Sequence, residues 1–272
     1  MLADSRAGTA LSALASRTLE SMNSAAFIDE FSDVAVEYAA FRPTYPRALF
    51  DRLAELSPAR RAAWDCGTGS GQAAIGLAEF FDCVHATDAS AAQLARATPH
   101  PRVHYRLATA ENCGLPDRSV ELVSVASALH WFDLDRFFAE VRRVARSGAL
   151  LAVYGYHGFY ITPALDELTE RWLLRPVQSH WAPNNQLLAD GYRTIPFPFE
   201  QVVEPNLAIH VSWTLSQLLE FFLTWSAPRR KIDVDGDGFV KEAHRAFEAE
   251  WGDPERRRHV VIPLIARIGR VT

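Results

Sequence analysis

The sequence predicts an α/β fold built on a doubly wound, mostly parallel sheet. Three observations predict it. Short apolar runs and helix-period segments alternate five times between about residue 62 and residue 158, at the spacing of βαβ crossovers. The first run, Ala62-Ala63-Trp64, passes straight into Asp65-Cys66-Gly67-Thr68-Gly69-Ser70-Gly71, a glycine-rich turn that opens a helix. The second run ends in an acid, Asp88. Glycines let the backbone take dihedrals other residues resist and let a ligand approach the main chain. A helix start offers N–H groups to an anionic group. An acid at the end of the next strand can accept both hydroxyls of a ribose. The stretch therefore proposes a nucleoside-containing ligand.

Composition sets the frame. The chain has 272 residues, 49% hydrophobic and 22% charged, enough for one large domain or one domain with a sizeable insertion. The net charge of -5 offers no broad basic field, so nucleic acid is not an expected partner. Cys66, Cys83 and Cys113 form no metal-ligand spacing, and so sparse a set suits a reducing compartment. Cys66, inside the turn, reads as a small packed side chain rather than a reactive thiol. No apolar run reaches membrane-spanning length, and residues 1–26, rich in Ala and Ser, lack a signal peptide's pattern. We expect a mobile tail there and a cytoplasmic protein, monomer or homodimer, that meets neither membrane nor nucleic acid.

Taken in order, Phe31, Val34 and Tyr38 mark a short amphipathic helix. The prolines of Phe41-Arg42-Pro43-Thr44-Tyr45-Pro46 make a rigid crossing able to fold over the ligand pocket, with Tyr38 a candidate contact. Leu49, Phe50, Leu53 and Leu56 define the next helix, with Pro46 as its lead-in. Beyond the glycine turn come a helix over 72–81, a strand over 83–88, a helix opened by Ser90, and a strand carrying Val103, Tyr105 and Leu107. The apolar run 120–126 reads as a central strand. Asp133 caps a helix with Leu134, Phe137, Phe138, Val141 and Val144 on one face, and Ala149 to Tyr154 is a fifth strand.

The second half loses the alternation. Helices are expected over 163–174, 215–224 and 240–251, an irregular stretch over 176–198, and a strand or hairpin over 199–211. A last strand over 259–268 should bulge at Pro263. The expected organisation is a core of 27–158 with 199–211 and 259–272, and a helical cap of 159–198 and 212–258 that selects the acceptor. Asp233-Val234-Asp235-Gly236-Asp237-Gly238 mimics the start of a calcium loop, but His244 stands where the bidentate Glu would be; we read a solvent loop capping the helix from Val240, and no metal site.

Two cofactors suit the turn. Gly69-Ser70-Gly71-Gln72-Ala73-Ala74 satisfies the dinucleotide fingerprint with Asp88 downstream, which would make the chain an NAD(P)-dependent oxidoreductase. Read from Asp65, the same stretch is D-x-G-x-G-x-G, and an acid beside the turn would repel a pyrophosphate but suit an ammonium and a sulfonium.

On these residues the chain resembles the class I S-adenosylmethionine-dependent methyltransferases. Residues 64–73 resemble their first motif. The stretch Ala108-Thr109-Ala110-Glu111-Asn112-Cys113-Gly114-Leu115-Pro116 is similar to the adenine-side motif. Leu129-His130-Trp131-Phe132-Asp133, together with Tyr38, Arg42-Pro43 and Tyr45-Pro46, is similar to the trans-aconitate methyltransferase-like branch, whose module is the methyltransferase type 11 domain. The resemblance implies a Rossmann-like seven-stranded sheet with S-adenosylmethionine as cofactor. It implies that Asp65 and the Gly67–Gly69 turn hold the methionine part, that Asp88 holds the ribose, and that Ala110 and Glu111 flank adenine. Tyr38, Thr68, Gly71, Ala89 and Ser127 complete the implied cofactor set. Glu121 departs from the family's usual Asp, and Arg146-Ser147-Gly148-Ala149 from its Pro-Gly-Gly-type turn.

The expected activity is methyl transfer to a small-molecule acceptor, at a carboxylate or hydroxyl oxygen. In-line displacement on a sulfonium releases a neutral leaving group, so alignment supplies much of the acceleration. A base is needed only where the acceptor must lose a proton. His130 is the candidate base and Trp131 a pocket wall, with packing of both as a wall the simpler reading. A methyltransferase-like protein that binds the nucleoside without transferring methyl is a further alternative.

Overall fold

The structure, a computed structural model, describes residues 42–202 and 206–272. Tyr38, the helix expected before it and the residues 1–26 lie outside the described residues.

Parallel strands β1 (Ala62–Cys66), β2 (Cys83–Asp88), β3 (Val103–Leu107), β4 (Val120–Ala126) and β5 (Ala145–Tyr156) form the sheet in the order β3-β2-β1-β4-β5. The antiparallel strand β8 (Arg258–Arg270) follows β5, and β6 (Glu200–Val202) closes that path of seven. An eighth strand, β7 (Ala208–Trp213), also pairs with β8. The order reverses between β1 and β4, so the C-terminal ends of those strands open the crevice where such sheets take ligands.

Period-2 alternation gives each face its own core. Trp64, Val123, Val125, Leu151 and Val153 pack under helix α4 (Leu134–Val144), through Phe137, Phe138 and Val141. Ala63, Val84, Leu122, Leu150 and Ala152 face the other way, against α1 (Arg47–Leu56) and α2 (Gln72–Ala78), through Leu49, Phe50, Leu53 and Leu77. Ser90 caps the short α3 (Ala91–Leu94) by accepting from Gln93 N, and Asp133 caps α4 by accepting from Arg136 N.

After β5 come α5 (Pro163–Leu168), a π-type continuation (Thr169–Leu174), a further turn (Arg175–Val177), and α6 (Asn185–Ala189), so helical turns occupy a stretch expected to be irregular. Three longer helices follow: α7 (Leu215–Leu223), α8 (Ser226–Asp235) and α9 (Gly238–Trp251). Leu165, Leu173, Phe221, Phe222, Phe247 and Trp251 build a third core together with Ile209, Val260 and Ile262. Strand β7 and the first half of β8 thus share a core with the helices.

One expectation about strands is narrowed and one is corrected. Of the strand or hairpin expected over 199–211, strands form but no hairpin, because β6 and β7 pair with opposite parts of β8 rather than with each other. Pro263 makes no bulge. It pairs in register with Ala208, and the next residue, Leu264, begins the pairing with β5, so the missing N–H falls at the seam between two partners.

The acidic stretch is corrected too. Asp233 and Asp235 lie in the last turn of α8 rather than in a solvent loop, and Lys231 Nζ binds Asp235 at 2.8 Å. Asp237 precedes α9 without a side-chain cap and accepts from Lys241 Nζ at 2.8 Å.

Candidate active site

The turn after β1 is tied to the end of β2. Gly67 N and Thr68 N both donate to Thr87 O, at 2.9 and 3.0 Å, and Gly69 N donates to Asp88 Oδ2 at 2.8 Å. The second oxygen of Asp88 accepts from Ser90 N at 2.8 Å, with half-buried Ala89 between them. The sequence suggests that N–H groups here face an anionic ligand; these three instead hold the turn against β2. Gly67 takes a left-handed φ of +69°, and a Cβ there would stand 2.7 Å from Ala128 Cβ in the loop after β4. Gly69 takes a φ of +56°, and among the described residues the nearest atom to a Cβ added there is Gln93 Oε1, at a van der Waals distance of 3.9 Å. Gly71 packs against Tyr105.

Asp65 departs from its expected setting. It lies within β1, paired with Ala86 on one side and Ser124 on the other, and is fully buried rather than open at the strand's mouth. Thr68 Oγ1 donates to Oδ2 at 2.6 Å and Ser124 Oγ to Oδ1 at 3.0 Å. Ser124 Oγ also lies 2.8 Å from Tyr154 Oη, so β1, β4 and β5 share one hydrogen-bond chain beneath the turn. Burial pushes the Asp65 carboxyl up to about 6, against the pull of its two hydroxyl donors. In this structure Asp65 holds the turn from within the chain.

Ser127 carries a φ of +54° just past β4, and its Oγ lies 3.2 Å from Tyr45 Oη. The Tyr45 ring meets Tyr154 edge-on at 4.9 Å, so the proline-rich crossing lies over the ends of β4 and β5, as its sequence suggests. A Cβ on Gly155 would meet Ser127 Oγ at 2.8 Å and Leu188 of α6 at 3.1 Å, which places α6 against the same edge.

His130 and Trp131 form a short 3₁₀ turn with their rings 4.9 Å apart. His130 is buried, and its Nδ1 lies 3.0 Å from Tyr192 Oη. Burial lowers its pKa to about 4, so the imidazole is neutral near pH 7. Ala110 is buried in the core beside α4, and Glu111 Oε1 accepts from Asp133 N at 3.0 Å.

Sequence reasoning missed Tyr45 as a partner of Ser127, and the Ser124–Tyr154 and Tyr192–His130 pairs. Ser124, a lone hydroxyl in an apolar central run, carried a usable signal; Tyr192, in a stretch without periodicity, carried none.

A cavity of about 420 Å³ lies beyond β5, with His157, Glu170, Arg175, Trp181, Asn185 and Gln186 in its wall. Among the described residues no helix is long and apolar enough to cross a membrane.

Comparison with known proteins decides the family. Residues 64–153 match the family model described as a methyltransferase domain. A Dictyostelium discoideum protein named as a methyltransferase is 32% identical over 84% of this chain and 89% of its own length. The chain belongs to the class I S-adenosylmethionine-dependent methyltransferases. A type II methyltransferase structure from Anaeromyxobacter dehalogenans superposes with a TM-score of 0.81 at 46% identity, over 85% of this chain and 99% of that one. A Saccharomyces cerevisiae protein named as an S-adenosylmethionine-dependent methyltransferase is 28% identical over 50% of this methyltransferase and 48% of its own length. The cofactor is therefore S-adenosylmethionine.

Proposed function

We propose that this methyltransferase methylates a small-molecule acceptor at an oxygen, a carboxylate or a hydroxyl. The carrying observation is the half-open cavity of about 420 Å³, a size that fits a compact organic molecule. Its wall begins with His157, one residue past β5, on the edge of the sheet that also carries Asp88 and Ser127.

Within this reading Asp88, which also accepts from Gly69 N and Ser90 N, accepts the ribose hydroxyls. Ala89, Ala110 and Glu111 flank the adenine. The turn Gly67-Thr68-Gly69, with Gly71 behind it, lies along the methionine part, and Asp65 supports the turn from below. Ser127 and Tyr45 close the pocket. When bound, S-adenosylmethionine supplies a methyl group on a positively charged sulfur. The chain's part is alignment and exclusion of water, an effect of about 7–11 kcal/mol in well-oriented reactions. His130, neutral and bonded to Tyr192, serves with Trp131 as wall.

Incubation with methyl-labelled S-adenosylmethionine and a panel of small carboxylic acids and hydroxy compounds tests the proposal. Label in an oxygen-methylated product supports it. Label only in nitrogen- or carbon-methylated products, or only in protein or nucleic acid, overturns it.

A further inference from the structure

The proton between His130 and Tyr192 can be placed. Tyr192 is fully buried, and the one hydrogen bond of its hydroxyl is the 3.0 Å contact with His130 Nδ1. A phenol carries one donor hydrogen, and a neutral imidazole carries one hydrogen on either nitrogen. If Nδ1 donated, the tyrosine O–H would be buried without an acceptor, at a cost of about 1–3 kcal/mol. If the tyrosine donates, no buried hydrogen is stranded. Tyr192 is therefore the donor, Nδ1 the acceptor, and the ring hydrogen sits on Nε2. Burial keeps the imidazole neutral near pH 7 and raises the tyrosine far above its usual range, so neither proton moves. Nε2 makes no hydrogen bond within the chain, yet unlike Asn185 Oδ1 it is not sealed from solvent, so its N–H can be met from outside. The loop that carries Tyr192 is pinned to hold it. Tyr192 takes a left-handed φ of +56°, a strained setting for an aromatic residue. Its N–H donates to Leu187 O at 2.7 Å, and Arg267 Nη1 of β8 donates to Tyr192 O at 2.5 Å and to Ile195 O at 2.8 Å. The histidine in turn lies beside the cofactor turn. Ala128 and Phe132, on either side of the Leu129–Trp131 turn, come within 2.7 and 3.2 Å of a Cβ added at Gly67.

We propose that Tyr192 is a positioning residue that locks His130 in its Nε2–H tautomer, so that His130 offers a fixed N–H donor, not a basic lone pair, to an oxygen of the methyl acceptor. This rests on the oxygen-acceptor reading above and gives His130 more than a wall's part in it. An N–H on the acceptor oxygen holds that oxygen without taking a proton from it. The bond is already made in the bound acceptor, so its loss shows in KM and not in kcat.

The test is nitrogen NMR at pH 7 of the full chain, ring-labelled with ¹⁵N at histidine and saturated with S-adenosylhomocysteine, with His130→Gln assigning the His130 signals. The expected wild-type spectrum shows a protonated Nε2 and a bare Nδ1, and Tyr192→Phe turns this into a mixture of tautomers. A protonated Nδ1 or a mixture in the wild type, or a single unchanged tautomer in Tyr192→Phe, overturns the lock. Should Tyr192→Phe fail to fold, the wild-type spectrum decides the tautomer alone. The donor is read from kinetics with the compound that the labelled panel shows to be methylated at oxygen. His130→Leu is expected to raise its KM about 10-fold with kcat changed less, and His130→Gln, which keeps an N–H at that position, to recover most of the loss. A KM in His130→Leu equal to that of the wild type, or no recovery in a folded His130→Gln, overturns the donor role. A panel without an oxygen-methylated product would instead sink the oxygen-acceptor reading, while the histidine spectrum still decides the lock.

Discussion

Gly69 N donates to Asp88 Oδ2 across 2.8 Å, which makes the glycine turn and the acid after β2 one mechanical unit. The same carboxylate fixes the start of the next helical turn through Ser90 N. A residue expected to serve only the ligand therefore also shapes the loop that meets it.

Replacing Asp88 follows from this double duty. Asp88→Ala removes the proposed ribose acceptor and leaves Gly69 N and Ser90 N without their partner, each loss costing about 1–3 kcal/mol where buried. Affinity for S-adenosylhomocysteine should fall about 10- to 100-fold, and the thermal midpoint should drop as well. Asp88→Asn, which keeps one oxygen, should fall between. Calorimetry and a melting curve on the same samples check both effects.

Asp65 sets a pH dependence of stability. Its folded pKa of about 6 lies above the ordinary 3.8, so the folded chain binds the extra proton in that interval. The contribution is fully present below about pH 3.8 and is lost as pH rises through about 6. At neutral pH the buried, ionised carboxylate is a burden of about 1–3 kcal/mol. Asp65→Asn should remove this component, so that stability relative to the wild type improves from acid to neutral pH. Urea unfolding at several pH values measures it, and a constant difference between the two proteins would show that Asp65 does not titrate in this range.

His130 acts with the opposite sign. Its folded pKa of about 4 is below the ordinary 6.5, so the unfolded chain takes up the proton first and stability falls as pH drops from 6.5 towards 4. His130→Asn should flatten this acid loss. As a neutral wall, His130 also predicts a kcat that changes less than about 10-fold in the variant and a pH–rate profile without a new ionisation between pH 5 and 8. A loss of several orders of magnitude in kcat, with KM unchanged, would make it a base.

Glu121 and Arg146 give a prediction away from the site. Glu121 is buried at 1% exposure and accepts from Ala62 N and from Arg61 Nε, while Arg146 Nε lies 3.2 Å from its Oε1. Glu121→Ala should cost about 1–3 kcal/mol of stability, since it strands the buried Ala62 N–H, whereas the exposed Arg61 and Arg146 guanidinium groups keep their water. S-adenosylhomocysteine affinity should not change, because these groups lie at the N-terminal ends of β1 and β4.

That pair also shows what the sequence could reveal. Glu121 and Arg146 were the two departures from the family pattern, and they meet each other in space, which no local pattern announces. The sheet was legible because central parallel strands are apolar runs between caps and glycines, and the caps at Ser90 and Asp133 fell where expected. That the turn and Asp88 are neighbours was legible, because spacing encodes that geometry. The site was not legible at Asp65, whose depth depends on Ser124 from β4, nor at α6, whose five residues are too few to show a period. The choice between a strand and a hairpin over 199–211 was not legible either, because β8 is long enough to pair with both β6 and β7.

The most direct test of the account is calorimetric titration of S-adenosylhomocysteine into the wild type and Asp88→Ala, with NAD as control. The account predicts micromolar or tighter binding to the wild type, binding at least about 10-fold weaker to the variant, and no heat from NAD. Equal affinity in the two proteins, or binding of NAD in place of S-adenosylhomocysteine, would contradict it.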